Sequence, residues 1–458
     1  GTVRWNHLFS DRLFSNLTLY YSNYDYQIAF GDDAEDTFDW DAKIINYSAK
    51  PEFSFFINPD NVVRFGAQAI YYEFQPANAV AVNVGERIDF SLASQFALEN
   101  AAFIENEVTL FDRLKLNYGL RMSNFLYLGG RNVYNYGEAP LGSERPLTDV
   151  TFIEKGETVE DWINLEPRLA VQYQLNPNTS LKASYNRMFQ YIHLLSNTTA
   201  SVPLDIWTPS TNNIDPQRAD QVALGYFRNF QNNTYEFSAE TYYKVFDNLI
   251  DYIDGADLIL NELVEGQILP GEGRAYGLEL MMKRTKGRFT GWVNYTLSRS
   301  ERLVEGINND EWYPSRFDQT HNFNVTGFYE FNERMTLSAS FVYNTGTPTT
   351  LPSSGYYQQG LYIPNVDGNG RNNYRIPDYH RLDVSFTLGP KAEKADKRWQ
   401  GEWVFGVYNL YNRRNAFSIY GSQEDKRPIP GSLTDAEAIR FSVVGSVIPS
   451  ISYNFKFK

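Results

Sequence analysis

Cysteine is absent from this chain of 458 residues, and its absence excludes several kinds of site. A disulfide framework, a cysteine-ligated zinc centre and a thiol nucleophile all need it. The four histidines, His7, His193, His321 and His380, lie far apart without metal-ligand spacing, and neither a G-x-S-x-G elbow nor a P-loop occurs. We therefore predict no catalytic residue, no metal site and no cofactor, and we interpret the protein as a non-enzyme.

Positive charge is also scarce. Lysine and arginine number 41 against 55 acidic residues, which gives a net charge of −14. A nucleic-acid partner is disfavoured, because a surface that binds phosphates carries excess positive charge. The acidic run at residues 32–36 lacks the spacing of an EF-hand, and we interpret it as a solvated loop rather than a calcium site.

Long hydrophobic runs are missing as well. No run of about 18 apolar residues occurs, so the sequence predicts no transmembrane helix. A transmembrane β-barrel remains possible, because its lipid-facing residues alternate with polar ones and its mean hydropathy stays low.

Aromatic residues are abundant, at 16% of the chain, and they follow a period of two. Near the C-terminus, apolar side chains alternate strictly with polar ones; the apolar set is Ile451, Tyr453, Phe455 and Phe457. The same alternation recurs at residues 114–122, 235–243, 323–329 and 335–344. Since successive side chains of a strand point to opposite faces, these segments are predicted to be strands with one apolar and one polar face.

The predicted connections alternate between short and long. Short turn signals occur near residues 10–12, 58–61, 111–113, 176–178, 231–233, 286–287 and 331–333, with a longer polar link at 391–398. Longer excursions lie at about 31–37, 78–87, 130–159, 194–216, 253–272, 304–315, 347–376 and 422–437. Short turns at one end and long loops at the other are typical of outer-membrane barrels. We predict an all-β, transmembrane antiparallel β-barrel with about 17 strands in this chain.

The direction of the terminal strands adds a further expectation. Both the first strand, near residues 2–9, and the last are predicted to run toward the end that carries the short turns. A complete bacterial barrel has an even number of strands and both termini in the periplasm, so its first strand runs outward. We therefore expect this chain to begin in mid-barrel.

Several segments together resemble the barrel of TonB-dependent receptors of the Bacteroidetes type. They include Glu311-Trp-Tyr-Pro-Ser-Arg-Phe-Asp318 and the segments at 184–199, 202–207, 215–221, 274–280, 283–300, 379–383 and 407–412. The resemblance covers residues 1–458, which we interpret as one barrel region. It implies a barrel of 22 strands with an N-terminal plug domain and a TonB box. We expect the plug and the first five strands to lie outside this chain.

The resemblance also implies a function, a location and partners. We expect TonB-dependent active uptake of a scarce nutrient across the bacterial outer membrane: a ferric siderophore, vitamin, peptide or glycan. The long loops would be extracellular and the C-terminus periplasmic. Expected partners are outer-membrane lipid, the TonB complex through the missing N-terminal region, and the cargo, with a surface lipoprotein as a further candidate. A passive, porin-like diffusion channel is the alternative.

Candidate cargo-binding residues are aromatics and arginines of the long loops and the lumen. Aromatic rings at a barrel mouth can stack on a ligand, and arginines can hold an anionic group. The alternatives are an interfacial aromatic girdle, packing within the loops, and ordinary ion pairs inside the barrel. The candidates are Trp207, Trp312, Tyr313, Tyr356, Tyr357, Arg274 and Arg316.

Overall fold

The computed structural model describes residues 1–31, 36–83, 86–195, 206–258, 261–351, 354–358, 361–365, 370–391, 399–423 and 436–457. These residues form β-strands and two 3₁₀ turns, Val264–Gln267 and Asn308–Asp310. No helix in the described part of the chain has the length and apolar character needed to cross a membrane.

Twenty-nine strands occur in the described residues. In chain order they are β1 (Thr2–Ser10), β2 (Leu13–Phe30), β3 (Asp36–Asn58), β4 (Asn61–Asn83), β5 (Glu86–Ser91), β6 (Gln95–Leu110), β7 (Leu114–Leu128), β8 (Arg131–Tyr136), β9 (Leu147–Ile153), β10 (Thr158–Asn176), β11 (Thr179–Gln190), β12 (Ile192–Leu194), β13 (Trp207–Pro209), β14 (Gln217–Phe230), β15 (Tyr235–Tyr252), β16 (Ile268–Arg284), β17 (Phe289–Leu303), β18 (Tyr313–Pro314), β19 (His321–Asn332), β20 (Met335–Asn344), β21 (Pro348–Thr349), β22 (Ser354–Gln358), β23 (Leu361–Asn365), β24 (Tyr374–Arg375), β25 (Tyr379–Leu388), β26 (Trp399–Tyr408), β27 (Ser418–Gln423), β28 (Ala436–Phe441) and β29 (Ile448–Phe457).

Nineteen of these strands share one sheet, and seventeen of them form one continuous antiparallel wall. Strands β5 and β18 belong to the sheet beside the wall, paired with β4 and β17. The strands outside the sheet are β8, β9, β12, β13, β21–β24, β27 and β28. Each wall strand pairs with the wall strand that follows it in the chain, from the β1–β2 pair to the β26–β29 pair. The predicted number of strands is confirmed. In the described residues, β1 pairs only with β2 and β29 only with β26.

Short turns join wall strands at one end, which we call the turn end. Several of their residues adopt a left-handed backbone conformation: φ is 56° at Asp112, 55° at Asn232 and 59° at Asn233. Asparagine and aspartate tolerate this conformation better than most residues, which explains their frequency here.

The longer connections lie at the other end, which we call the loop end. One boundary prediction was wrong: the segment 78–87, which was predicted to be a loop, contains regular β-structure. Strand β4 continues to Asn83 and pairs with β5, from the residue pair Asn78 and Ser91 to the pair Asn83 and Glu86. Alanine and valine at positions 79–82 continue the strand pattern through this segment.

Strand register gives the wall an apolar face and a polar face. On the apolar face, Phe341 lies between Val325 and Leu382 on the neighbouring strands. The predicted apolar side of the last strand belongs to the same face: Tyr453 lies opposite Trp403, with ring centroids 4.7 Å apart. Its predicted alternation is therefore confirmed.

The polar face carries a ladder of ion pairs. Arg64 pairs with Glu105 at 3.2 Å and Glu107 at 3.3 Å. Farther toward the loop end, Arg121 pairs with Glu99 at 3.0 Å and Glu166 at 3.3 Å. In a closed barrel the apolar face contacts lipid and the polar face lines the lumen.

Candidate functional site at the loop end

The buried core of the protein lies at the loop end, on the polar face of the wall. Phe74 and Phe125 are fully buried there, and Phe125 stacks on Tyr191 with ring centroids 4.6 Å apart. A second apolar cluster joins Trp40 of β3 to Tyr252 of β15, although six wall strands separate β3 from β15. The long connections therefore pack together over the open end of the wall.

Hydrogen bonds link three of these connections, and we call their contact region the rim assembly (residues 131–153, 206–214, 251–258 and 261–268). The Tyr134 hydroxyl donates to Glu262 at 2.6 Å, and Arg145 donates to the backbone carbonyl of Glu265 at 2.8 Å. Asn213 donates to the Glu265 carboxylate at 2.6 Å. Because the partners come from separate loops, their contacts hold the rim assembly in one arrangement.

A close backbone approach joins the rim assembly to the next connection. A Cβ atom at Gly142 would lie 2.5 Å from the carbonyl oxygen of Gly306, so neither loop has room for a side chain. Both residues also adopt positive φ, 73° at Gly142 and 82° at Gly306, which glycine accepts without strain.

Trp207, one of the predicted cargo-binding residues, lies in the β12–β13 hairpin. It packs against the cluster that contains Phe125 and Tyr191 and is partly buried. The next residue, Thr208, donates to Gln95 at 2.8 Å. The indole N–H of Trp207 is buried and has no hydrogen-bond partner within the described residues.

His193 lies in the same hairpin and is 1% exposed. Its Nε2 is 2.8 Å from the Ser210 hydroxyl, and its Nδ1 has no partner in the part of the chain that the structure describes. Burial lowers the pKa of His193 to about 4, because the charged imidazolium would lose its hydration. The side chain is therefore neutral at pH 7.

Tyr313 belongs to a buried ion-pair cluster centred on Asp251. The Tyr313 hydroxyl donates to Asp251 at 2.5 Å, and Arg371 donates to the other carboxylate oxygen at 2.5 Å. Arg371 also pairs with Asp254 at 2.7 Å. Burial raises the pKa of the Tyr313 hydroxyl, and the adjacent Asp251 carboxylate raises it further. Burial by itself lowers the pKa of Arg371, because it disfavours the charged form. The carboxylates of Asp251 and Asp254 outweigh this effect, and the pKa of Arg371 is raised.

Trp312 and Arg274 contact each other on the opposite face. The Arg274 guanidinium lies 4.1 Å from the centroid of the Trp312 ring and pairs with Glu301 at 2.8 Å. Arg274 pairs in register with Glu301 and shares the apolar face of β16 with Tyr276 and Leu278. The structure thus separates Trp312 from its chain neighbour Tyr313, and the cargo-binding role of both residues stays a prediction.

The remaining candidates are placed as follows. Arg316 is exposed in the segment between β18 and β19. Tyr356 and Tyr357 lie in the β22–β23 hairpin, where Tyr356 pairs with Ile363 and Tyr357 with Tyr362. Their side chains lie outside the described part of the structure. Of the acidic run at 32–36, residues 32–35 also lie outside the described residues. Among the residues that the structure does describe, no group of three or more metal-binding side chains occurs.

Sequence reasoning missed the carboxylates that organise the loop end. Asp318 is 1% exposed; it accepts the Ser300 backbone N–H at 2.6 Å and contacts Arg375 and Arg299. Asp251 likewise forms a buried ion pair with Arg371. Their partners lie 57 and 120 residues away in the chain, so no local spacing signals these pairs.

A 17-stranded antiparallel wall with short turns at one end and packed loops at the other defines the class of large outer-membrane β-barrels. A family model described as "TonB dependent receptor-like, beta-barrel" matches residues 1–410, and the chain belongs to this family. The family resemblance found in the sequence is confirmed. No curated protein sequence matches the chain.

Solved structures share this fold. The ferric citrate transporter FecA superposes with a TM-score of 0.63 at 12% identity, and the match covers 99% of this chain and 60% of FecA. The ferric yersiniabactin uptake receptor FyuA from Yersinia pestis gives 0.60 at 13% identity, covering 100% and 60%. The copper transporter OprC gives 0.63 at 11% identity, covering 99% and 64%. The chain spans about 60% of the length of the first two structures.

Proposed function

We propose that this protein takes part in TonB-coupled, active uptake of a scarce nutrient across the bacterial outer membrane. The observation that carries the proposal is the rim assembly, whose loops pack over the open end of a polar-faced barrel wall. Ferric siderophores, vitamins, peptides and glycans are the proposed cargo classes. The loop end is proposed to face the cell surface and the turn end the periplasm.

The packing at the loop end favours active uptake over passive diffusion. Contacts such as Tyr134–Glu262 and Arg371–Asp251 hold loops from different parts of the chain together. A passive pore for a comparable solute needs an open mouth, whereas a receptor needs a surface that holds its cargo before transport. We place that surface at Trp207 and its neighbours, where an indole N–H lacks a partner among the described residues.

Uptake is tested with the full-length protein in its host. A strain that lacks the gene is grown on single limiting sources of each cargo class, with and without the gene restored, and in a background without TonB. The proposal predicts at least one source whose uptake needs both the gene and TonB. Gene-dependent uptake that persists without TonB, together with steady conductance of the purified protein in planar bilayers, would instead establish the passive channel.

Orientation has its own test, for which the cysteine-free sequence is convenient. Glu154→Cys places one thiol in an exposed loop-end position, and Glu333→Cys places one in an exposed turn. On intact cells, a membrane-impermeant maleimide should label the first variant and leave the second unlabelled until the outer membrane is opened. The reverse pattern would show that the proposed orientation is wrong.

A further inference from the structure

Four cations at the turn end between β14 and β17 lack carboxylate partners. Within the described residues, no ion pair involves Arg228, Arg284, Lys286 or Arg288, although Arg284 and Lys286 donate to backbone carbonyls. The loop ends of the same strands differ, since each arginine there has an acidic partner: Arg218, Arg274, Arg299 and Arg302. Within the described residues of β14–β17, the arginines without an acidic partner therefore lie at the turn end.

Arg228 and Arg284 lie on the apolar face. Arg228 is opposite Phe237, and Arg284 is opposite Tyr235. The carboxylates on the same half of β15 and β16, Glu236, Glu240 and Glu279, alternate to the polar face, where Glu236 pairs with Lys283 at 3.3 Å. The apolar face thus presents two guanidinium groups to the membrane interface without an acidic group beside them.

Aromatic rings surround these arginines. Phe230 stacks on Tyr235 with centroids 5.3 Å apart, and the Arg284 guanidinium lies 5.6 Å from the Tyr235 centroid. Phe289, at the start of the next strand, is 51% exposed. Aromatic side chains of this kind mark the depth of lipid headgroups. The two arginines therefore lie at headgroup depth.

An apolar groove of about 530 Å³ runs along the same face toward the middle of the wall. Leu181, Leu224, Tyr226 and Leu278 form its sides, and small side chains such as Ala239 leave the space between them. Tyr226 precedes Arg228 by two residues on the same face, so the groove begins beside the unpaired arginine. A second groove of about 610 Å³ shares Leu224 and Leu278 and continues toward the loop end.

We propose that Arg228, Arg284 and this groove form a binding site for one anionic phospholipid. The guanidinium groups hold its phosphate by charge-assisted hydrogen bonds, and an acyl chain lies along the groove. A zwitterionic lipid fits less well, because no carboxylate of the described residues lies beside the two arginines on this face to receive its ammonium group. The site is independent of the cargo and of the coupling to TonB.

The test measures lipid retention by the full-length protein in detergent with native mass spectrometry. Phosphatidylglycerol and phosphatidylethanolamine with the same acyl chains are added separately. We expect preferential retention of phosphatidylglycerol, and the double variant Arg228→Gln/Arg284→Gln should weaken its binding about five-fold for each arginine removed. The matched control is Arg12→Gln/Arg113→Gln, which removes two exposed turn-end charges away from the groove.

Other outcomes contradict the proposal. Equal retention of the two lipids would show that the arginines do not select an anionic headgroup. An equal loss in the control double variant would assign the effect to the general charge of the turn end. Ala239→Phe, which fills the groove and keeps both arginines, should also reduce retention; unchanged retention in that variant would remove the groove from the site.

Discussion

The strongest prediction concerns Asp251 at the centre of the buried ion-pair cluster. Asp251→Ala removes the acceptor for both Tyr313 and Arg371, and the side chain of Arg371 is only 3% exposed. Removing one partner of a buried ion pair costs about 3–5 kcal/mol, because the remaining charge is buried without compensation. Asp254 still contacts Arg371 in the variant, so we expect the lower value, about 3 kcal/mol.

Hydrogen exchange of the full-length protein measures this effect locally, without unfolding the barrel. A loss of about 3 kcal/mol corresponds to exchange about one hundred-fold faster at residues 250–253, 313–315 and 371–373. Exchange in the middle of the wall should stay unchanged, because the wall strands do not depend on this ion pair.

Asp254→Ala is the matched control, since Asp254 contacts the same arginine but its side chain is 43% exposed. Exposed ion pairs contribute about 0–1 kcal/mol, so exchange should rise less than about five-fold. Equal effects of the two variants, or unchanged exchange in Asp251→Ala, would show that the buried pair does not hold the loops together.

Three further predictions concern the lipid face, the pH response and cargo binding. Phe341→Arg on the apolar face should destabilise the barrel in lipid bilayers by about 2–4 kcal/mol, measured by denaturant unfolding, whereas Val342→Arg on the polar face should cost much less. Burial lowers the pKa of His193 to about 4, so the buried neutral side chain makes its full contribution to the stability of the β12–β13 hairpin above about pH 6.5. About 3 kcal/mol of that contribution is lost as the pH falls toward 4. Local hydrogen exchange should therefore accelerate in acid, and His193→Gln should abolish this pH dependence. Alanine at Trp207 or Trp312 should weaken cargo binding, measured by titration calorimetry once the cargo is identified, while circular dichroism shows that the wall keeps its strand content, since neither residue belongs to a wall strand.

Each of these predictions has a clear contradictory result. Equal stability of the variants at 341 and 342 would show that the apolar face does not contact lipid. Exchange in the β12–β13 hairpin that is independent of pH would show that His193 is not buried in its neutral form. Full cargo affinity in both tryptophan variants would remove the aromatic residues from the binding site.

The sequence alone determined the wall of this protein. Alternation of side chains is a property of each strand by itself, and turn residues such as Asp112 and Asn232 act through their own backbone preferences. Local patterns therefore predicted the number of wall strands, their order and the apolar face of the last strand. The boundary near residues 78–87 was wrong because the strand continues through this segment with the same local pattern.

The tertiary structure alone decided the arrangement of the loop end. Asp251 and Arg371 are 120 residues apart, and Tyr134 and Glu262 are 128 apart, so their contacts depend on how the curved wall brings separate loops together. The same holds for the faces of Trp312 and Tyr313, which are adjacent in the chain but lie on opposite sides of the sheet. Local residue patterns carry no information about contacts between distant loops, and those contacts shape the candidate site.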